Sequence, residues 1–272
     1  MQTDKTRKCG WASRIWASFI FLTRIPFWRL YQPPKEAYTS VVEHWPLVGW
    51  LTSCIAAAAL YLIAPHNLII GVLAAIILRI LATGALHEDG LADFFDGFGG
   101  GYNREKILSI MKDSHIGTYG VLGLICYFLT LAACLFSLAL LSPKLAAISI
   151  IFADPFSKML AGQTVMLMPY ARKEEESKAH NIYRRARFPE YMLMLLEGLV
   201  PLGVFIALLN STTSLSPEPW QILVLAAVPA ILCALLNIFI YKKIKGYTGD
   251  CNGAMFLLTE LSIYLTATFL FV

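Results

Sequence analysis

Charge is scarce in this sequence: only 15% of its 272 residues are Asp, Glu, Lys or Arg, against about 25% in an ordinary soluble domain. That deficit argues against a water-exposed globule, and the apolar share of 57% with a mean hydropathy of +0.62 argues the same way. Paired cysteine is missing too. The six cysteines, at 9, 54, 126, 134, 233 and 251, form no Cys-x-x-Cys pair. Four of them lie in apolar runs, where a thiol packs as a small hydrophobe, so neither a structural zinc site nor a disulfide is expected. The basic, then apolar N-terminus has no small-x-small cleavage site after it, and Arg14, Arg24 and Arg29 interrupt its apolar stretch. It reads as a retained segment rather than a signal peptide. Internal repeats and low-complexity tracts are absent as well.

What the sequence does have is apolar runs of about 20 residues, the length a helix rising about 1.5 Å per residue needs to cross a hydrocarbon core of about 30 Å. They cover residues 45–65, 68–86, 116–141, 145–168, 191–210, 220–241 and 253–272. Residues 11–28 are rich in Trp and Phe but carry Arg14 and Arg24. They read as a helix lying in the interface, because arginine at mid-bilayer costs several kcal/mol. The expected fold is therefore all-α and polytopic, one membrane domain over 1–272 with seven spans and an N-terminal interfacial helix.

Seven spans put segments 1–44, 87–115, 169–190 and 242–252 on one side, and 66–67, 142–144 and 211–219 on the other. Of the 22 Lys and Arg residues, 19 fall on the first side and only Lys144 on the second, while Arg79 and Lys158 lie inside spans. By the positive-inside rule the N-terminus and the three long polar segments face the cytoplasm and the C-terminus faces out.

The densest chemistry is His87-Glu88-Asp89-Gly90-Leu91-Ala92-Asp93-Phe94-Phe95-Asp96-Gly97, in the 87–115 segment. Asp89, Asp93 and Asp96 stand at i, i+4 and i+7, one face of a helix. Like charges so spaced repel, and a hard divalent cation with oxygen ligands neutralises them; magnesium is the first choice because it shares its shell with substrate phosphates. An acidic helix start would account for Glu88 and Asp89 through the helix dipole, but not for four carboxylates. A glycine-rich stretch, Gly97 to Gly101, could admit backbone N–H groups to a phosphate. Arg104, Lys106, Lys112, Asp113 and Ser114 follow, before His115-Ile116-Gly117-Thr118-Tyr119-Gly120. Arg104 and Lys106 read equally as phosphate partners or as positive-inside residues.

The last polar segment, Lys245 to Ala254, brings glycines, Thr248, Asp250 and Asn252 to the start of the final span, which contains Glu260. An ionisable group inside a span is a functional candidate by default. Asp154 and Lys158, at i and i+4 around Pro155, can neutralise each other, and Arg79 can pair with Glu260 or reach a phosphate.

With these residues in hand, the chain resembles the cobalamin synthase family, the adenosylcobinamide-GDP ribazoletransferases. The resemblance rests on Phe21-Leu22-Thr23-Arg24-Ile25-Pro26, Trp45-Pro46-Leu47-Val48-Gly49, His87 to Gly97 with Arg104 and Ile110 to Gly117, Pro169-Tyr170-Ala171-Arg172, and Thr248-Gly249-Asp250 with Gly253, Ala254 and Glu260. It implies a magnesium-dependent joining of adenosylcobinamide-GDP to α-ribazole or its 5′-phosphate, with release of GMP. In that implied scheme Asp89, Asp93 and Asp96 hold the metal and Glu88 is a ligand or orienter. Arg104 and Lys112 clamp phosphate, with Ser114, Arg172 and Thr248 also on the substrate. His87 is the base or orients a carboxylate, and Asp113, Asp250 and Asn252 hold a second metal or the nucleotide. Departures from the family pattern are Glu88 in place of an apolar residue, Lys158 in place of Arg, and Leu257 in place of Glu. The resemblance also implies a bacterial cytoplasmic (inner) membrane location; the expected partners are the two substrates and membrane lipid, with no nucleic acid, and a homo-oligomer is compatible with the chain.

Two rival classes share features with the sequence. A CDP-alcohol phosphotransferase would match Asp89-Gly90-x-Ala92-Asp93-x-x-Asp96-Gly97, but the arginine after the alanine and the second aspartate half are missing, as is the second aspartate-rich motif of a prenyltransferase. A divalent-cation transporter would need ion sites near the midplane, where only Asp154, Glu197 and Glu260 are placed to serve.

Overall fold

The computed structural model describes residues 10–172, 183–212 and 217–272; residues 1–9, 213–216 and the charged stretch 173–182, the middle of the 169–190 segment, lie outside the description. Among the described residues the chain forms ten α-helices and no strand: α1 (Trp11–Leu22), α2 (Trp45–Ile63), α3 (Leu68–Thr83), α4 (Leu86–Gly100), α5 (Arg104–Lys112), α6 (Thr118–Leu141), α7 (Pro143–Leu167), α8 (Phe188–Thr212), α9 (Pro219–Ile244) and α10 (Gly249–Phe271). Six are long and apolar enough to cross a membrane, and the bent pair of α3 and α4 makes a seventh if counted as one span. The all-α polytopic fold is as expected.

One boundary differs from the sequence reading in a way that matters. The apolar run 68–86 does not continue straight: Gly84 and Ala85 both adopt left-handed backbone, with φ of 66° and 58°, and α4 leaves α3 at 91°. Gly84 takes that conformation freely, while Ala85 gives up about 1–2 kcal/mol to it. The acidic segment expected as a cytoplasmic loop is therefore a helix set across the bundle, with His87, Glu88 and Asp96 buried. At the N-terminus, α1 has 12 residues, a rise of about 18 Å that falls short of a crossing. Its Arg14 ties it to Glu43 at 2.9 Å and to Glu190, at the start of α8, at 2.6 Å.

The bundle is built around α7, whose most apolar stretch is 94% buried. Gly49 of α2 lies against Pro155, inside α7, where a Cβ would come within 2.8 Å of the proline Cα. Beside that contact Thr52 donates to Asp154 at 2.6 Å, and Asp154 pairs with Lys158 as the i, i+4 spacing predicts.

A second ionic group knits four helices. Arg79 of α3 pairs with Glu260 of α10 and donates to the Tyr127 hydroxyl of α6 at 2.8 Å; Tyr264 donates to Glu260 at 3.0 Å, and Glu88 of α4 lies 3.6 Å from Arg79. Charges in an apolar interior are tolerated only when so paired. The resemblance expects an apolar residue at 88, and the Arg79 neighbour gives its carboxylate a structural partner. Because removing one partner of a buried pair costs about 3–5 kcal/mol while replacing both is close to neutral, Glu260→Leu and Arg79→Leu should each lower the thermal unfolding temperature in detergent. The double variant should recover part of the loss; strictly additive losses would contradict this pairing.

Candidate active site

The site begins with two glycines. Gly90 of α4 and Gly253 of α10 face each other: a Cβ at Gly90 would lie 3.1 Å from Asp250 Cα, and one at Gly253 would lie 3.1 Å from the His87 carbonyl oxygen. Without side chains there, the two helix backbones approach closely, and Asp89 and Asp250, 161 positions apart in sequence, border one cavity.

That cavity has a volume of about 180 Å³. His87, Asp89 and Gly90 of α4 form one wall and Gly249, Asp250, Asn252, Gly253 and Phe256 of α10 another. Lys158 of α7 also lines it, with its Nζ over the Phe256 ring, 3.9 Å from the centroid. The remaining walls are mostly aromatic: Phe21, Trp45, Tyr170 and Tyr183, with Tyr183 edge-on to both Phe21 and Trp45. Burial pushes the Tyr183 phenol above its ordinary value, so it stays protonated and uncharged.

Loop pairing holds the polar mouth in place. Tyr247 donates its N–H to the Pro169 carbonyl at 3.0 Å and accepts from the Ala171 N–H at 2.8 Å, which sets Arg172 beside Asp250 at 3.8 Å. Arg172 also donates to the Leu108 carbonyl at 3.3 Å. Thr248 caps α10, its hydroxyl accepting from the Cys251 N–H at 3.3 Å.

Of the residues singled out in sequence, the cavity wall gathers His87, Asp89, Arg172, Asp250 and Asn252, and does not include Glu88, Asp93, Asp96, Arg104, Lys112, Asp113, Ser114 or Thr248. Several of these have other work. Both Asp96 oxygens accept backbone N–H groups, from Gly117 at 2.7 Å and Gly120 at 2.8 Å. The N-cap of α6 is Gly117, which has no side chain to cap with, so Asp96 supplies the negative charge that helix start favours. Arg104 donates to the carbonyls of Ile244 at 2.9 Å and Ala171 at 2.6 Å, fastening α5 to the end of α9 and to the 171 loop. Lys112, Asp113 and Ser114 are exposed. The side-chain and backbone N–H groups of His115 hold the Asp113 carboxyl below its usual value.

Sequence reasoning gave no site role to Phe21, Leu22, Trp45 or Tyr170, although all four stand in the motifs quoted above, and it treated Lys158 as the partner of Asp154 and as a departure from the family pattern. Tyr183 carried no sequence signal; its place in the wall comes from packing against Phe21 and Trp45.

As a metal site the arrangement is open. Among the described residues no three His, Cys, Asp or Glu side chains gather closely enough to hold an ion on their own. Magnesium is commonly held by one or two carboxylates, with substrate phosphates and water completing its shell. Asp89 and Asp250 on one cavity fit that mode.

Comparison with known proteins agrees with the resemblance. A family profile described as cobalamin-5-phosphate synthase matches residues 14–268. An adenosylcobinamide-GDP ribazoletransferase of Leptospira interrogans is 33% identical over 94% of this chain and 95% of its own length. Proteins of the same name from Pseudoalteromonas atlantica and Shewanella amazonensis are 36% and 34% identical, each over 90% of this chain and over 87% and 90% of their own lengths. No solved structure matches the chain. The chain belongs to the cobalamin-5-phosphate synthase family.

Proposed function

We propose that this protein joins adenosylcobinamide-GDP to α-ribazole or its 5′-phosphate, forming adenosylcobalamin or its 5′-phosphate and releasing GMP. The observation that carries this reading is the convergence of the His87–Gly97 and Thr248–Ala254 motifs on one cavity, in a chain whose relatives bear that transferase name along nearly their whole length.

Phosphoryl transfer asks a protein mainly to position reactants and stabilise charge. The ribose 3′-hydroxyl of the acceptor forms a bond to the phosphorus attached to cobinamide, the bond from that phosphorus to the GMP oxygen breaks, and the hydroxyl proton leaves. His87, on the cavity wall with its ring packed against Phe256, is the group we assign to take that proton. Arg172 offers a guanidinium to the phosphates. Asp89 and Asp250 would hold magnesium, with Asp93 one turn further along the same face of α4. The bound ion would neutralise diphosphate charge and favour departure of GMP. Asp96 and Glu88, by contrast, serve α6 and Arg79.

With 19 of 22 basic residues on its side, the cavity mouth faces the cytoplasm in this reading, and the protein sits in the bacterial inner membrane. Purified protein given adenosylcobinamide-GDP, α-ribazole and magnesium should release GMP, a chelator should stop the release, and Asp89→Asn should slow it by about a hundredfold or more. Release of CMP from a CDP-alcohol in place of GMP would refute the assignment. In a cysteine-free background, Lys144→Cys should react with an impermeant maleimide in intact spheroplasts and Lys243→Cys only after the membrane is opened; the reverse pattern would invert the topology.

A further inference from the structure

The Phe21–Pro26 motif gives the cavity two apolar residues, Phe21 and Leu22, and its arginine goes elsewhere. Helix α1 stops at Leu22, and Thr23 leaves it in extended backbone, with φ of −131° and ψ of 159°. The chain then runs against the end of α3, where the Arg24 N–H donates to the Ala82 carbonyl at 2.7 Å. Ala82 lies in the last turn of α3, among the carbonyls that a helix cannot satisfy from within, so the stretch after α1 supplies the missing donor.

The Arg24 side chain meets the residue on which the turn depends. A Cβ at Gly84 would lie 2.9 Å from Arg24 Cδ and closer still to Cγ and Nε, so the stem of the arginine lies on the bare backbone of the left-handed glycine. Gly84 is thus required twice, for its φ of 66° and for the space it leaves. Ala85 follows with φ of 58° and no such freedom; a residue so placed persists when its surroundings over-determine it. Arg24 is exposed, and among the described residues its guanidinium pairs with no carboxylate, in contrast to the buried Arg79 with its Glu260 partner. Its backbone and its stem make the contacts here.

We propose that Arg24 is a positioning residue of the site: its stem, laid over Gly84, locks the left-handed turn between α3 and α4 and so fixes where His87 and Asp89 enter the cavity. His87 follows Ala85 by two positions and Asp89 by four, while the contacts of Gly90 with α10 and of Asp96 with α6 lie beyond them. The stretch that carries Phe21 and Leu22 on the cavity wall is the one that reaches the turn before Leu86 and His87, which joins the end of α1 to the start of α4. A small rotation at that turn would displace the groups assigned to the chemistry without breaking a buried ion pair. Its effect on turnover rests on the transferase reading; the lock itself is independent of it.

The lock is read without turnover by pulsed electron double resonance on the full-length protein in a cysteine-free background, with nitroxides on Leu81→Cys of α3 and Gly100→Cys at the far end of α4, both exposed positions. With Arg24 in place the labels should give one narrow distance, Arg24→Ala should broaden or shift it, and Arg24→Met, which keeps an unbranched stem without the charge, should restore it. In unlabelled protein, Arg24→Ala should lower kcat for GMP release by about tenfold with little change in KM, because a small displacement of reacting groups acts on the chemical step. Arg24→Met should recover most of that loss. Identical distances in Arg24→Ala and the unaltered protein would overturn the lock. So would an Arg24→Met as slow as Arg24→Ala, its loss carried by KM and repaired by Arg24→Lys, since charge rather than stem would then be at work. If Arg24→Ala does not fold, Arg24→Met against Arg24→Lys still decides: equal activity supports the stem, and a slow Arg24→Met alone overturns it. A protein whose distances respond in this way but which releases no GMP keeps the lock and loses the transferase reading.

Discussion

The close approach of α4 to α10 is the constraint on which the site depends. Two glycines, Gly90 and Gly253, let the helices meet backbone to backbone, and only that contact brings the acidic motif of one polar segment against the glycine-rich start of the last helix. Around it the loop pairing of Pro169–Ala171 with Tyr247 positions Arg172. Arg104 fastens the same loop to α5 and α9. Residues far from the cavity thus act on it by fixing where its walls stand.

The turn that frees α4 to lie across the bundle has a conformational cost at Ala85, and the pairings of Arg79 and Asp96 hold it. The Arg79 cluster links α3, α4, α6 and α10, and Asp96 anchors the start of α6 to α4. Among the described residues, the charges of Arg79, Asp154, Lys158 and Glu260 are locked in pairs inside. Buried pairs of this kind add little net stability, but a broken one leaves an uncompensated charge, which penalises any arrangement other than this one. The aspartate motif consequently divides its labour: Asp89 faces the cavity while Asp96, two turns on, serves the fold.

Much of this was legible in the sequence. Hydropathy and run length gave the spans, spacing gave the Asp154–Lys158 pair, and the default suspicion of intramembrane charge found Arg79 with Glu260. What escaped was long-range geometry. Nothing local announces that Asp96 will cap a helix 21 positions later, or that Arg104 will be committed to the carbonyls of residues 171 and 244, because those partners exist only once the helices are packed. The break at Gly84–Ala85 was hidden for a related reason: alanine has no sequence preference for left-handed backbone, so the run 68–86 looked continuous. The aromatic wall was hidden in plain composition, since Trp and Phe near a membrane surface are ordinary there, and Tyr183 belongs to no motif.

The claim that the α4–α10 contact builds a working site is tested most directly by the turnover of Gly253→Val. The added side chain must push α10 away from the His87 carbonyl and Gly90, and a displacement of about 1 Å at a reacting centre can cost about a hundredfold in rate. The account predicts that this variant inserts and folds in the membrane but releases GMP about a hundredfold more slowly. Turnover equal to that of the unaltered protein would contradict it.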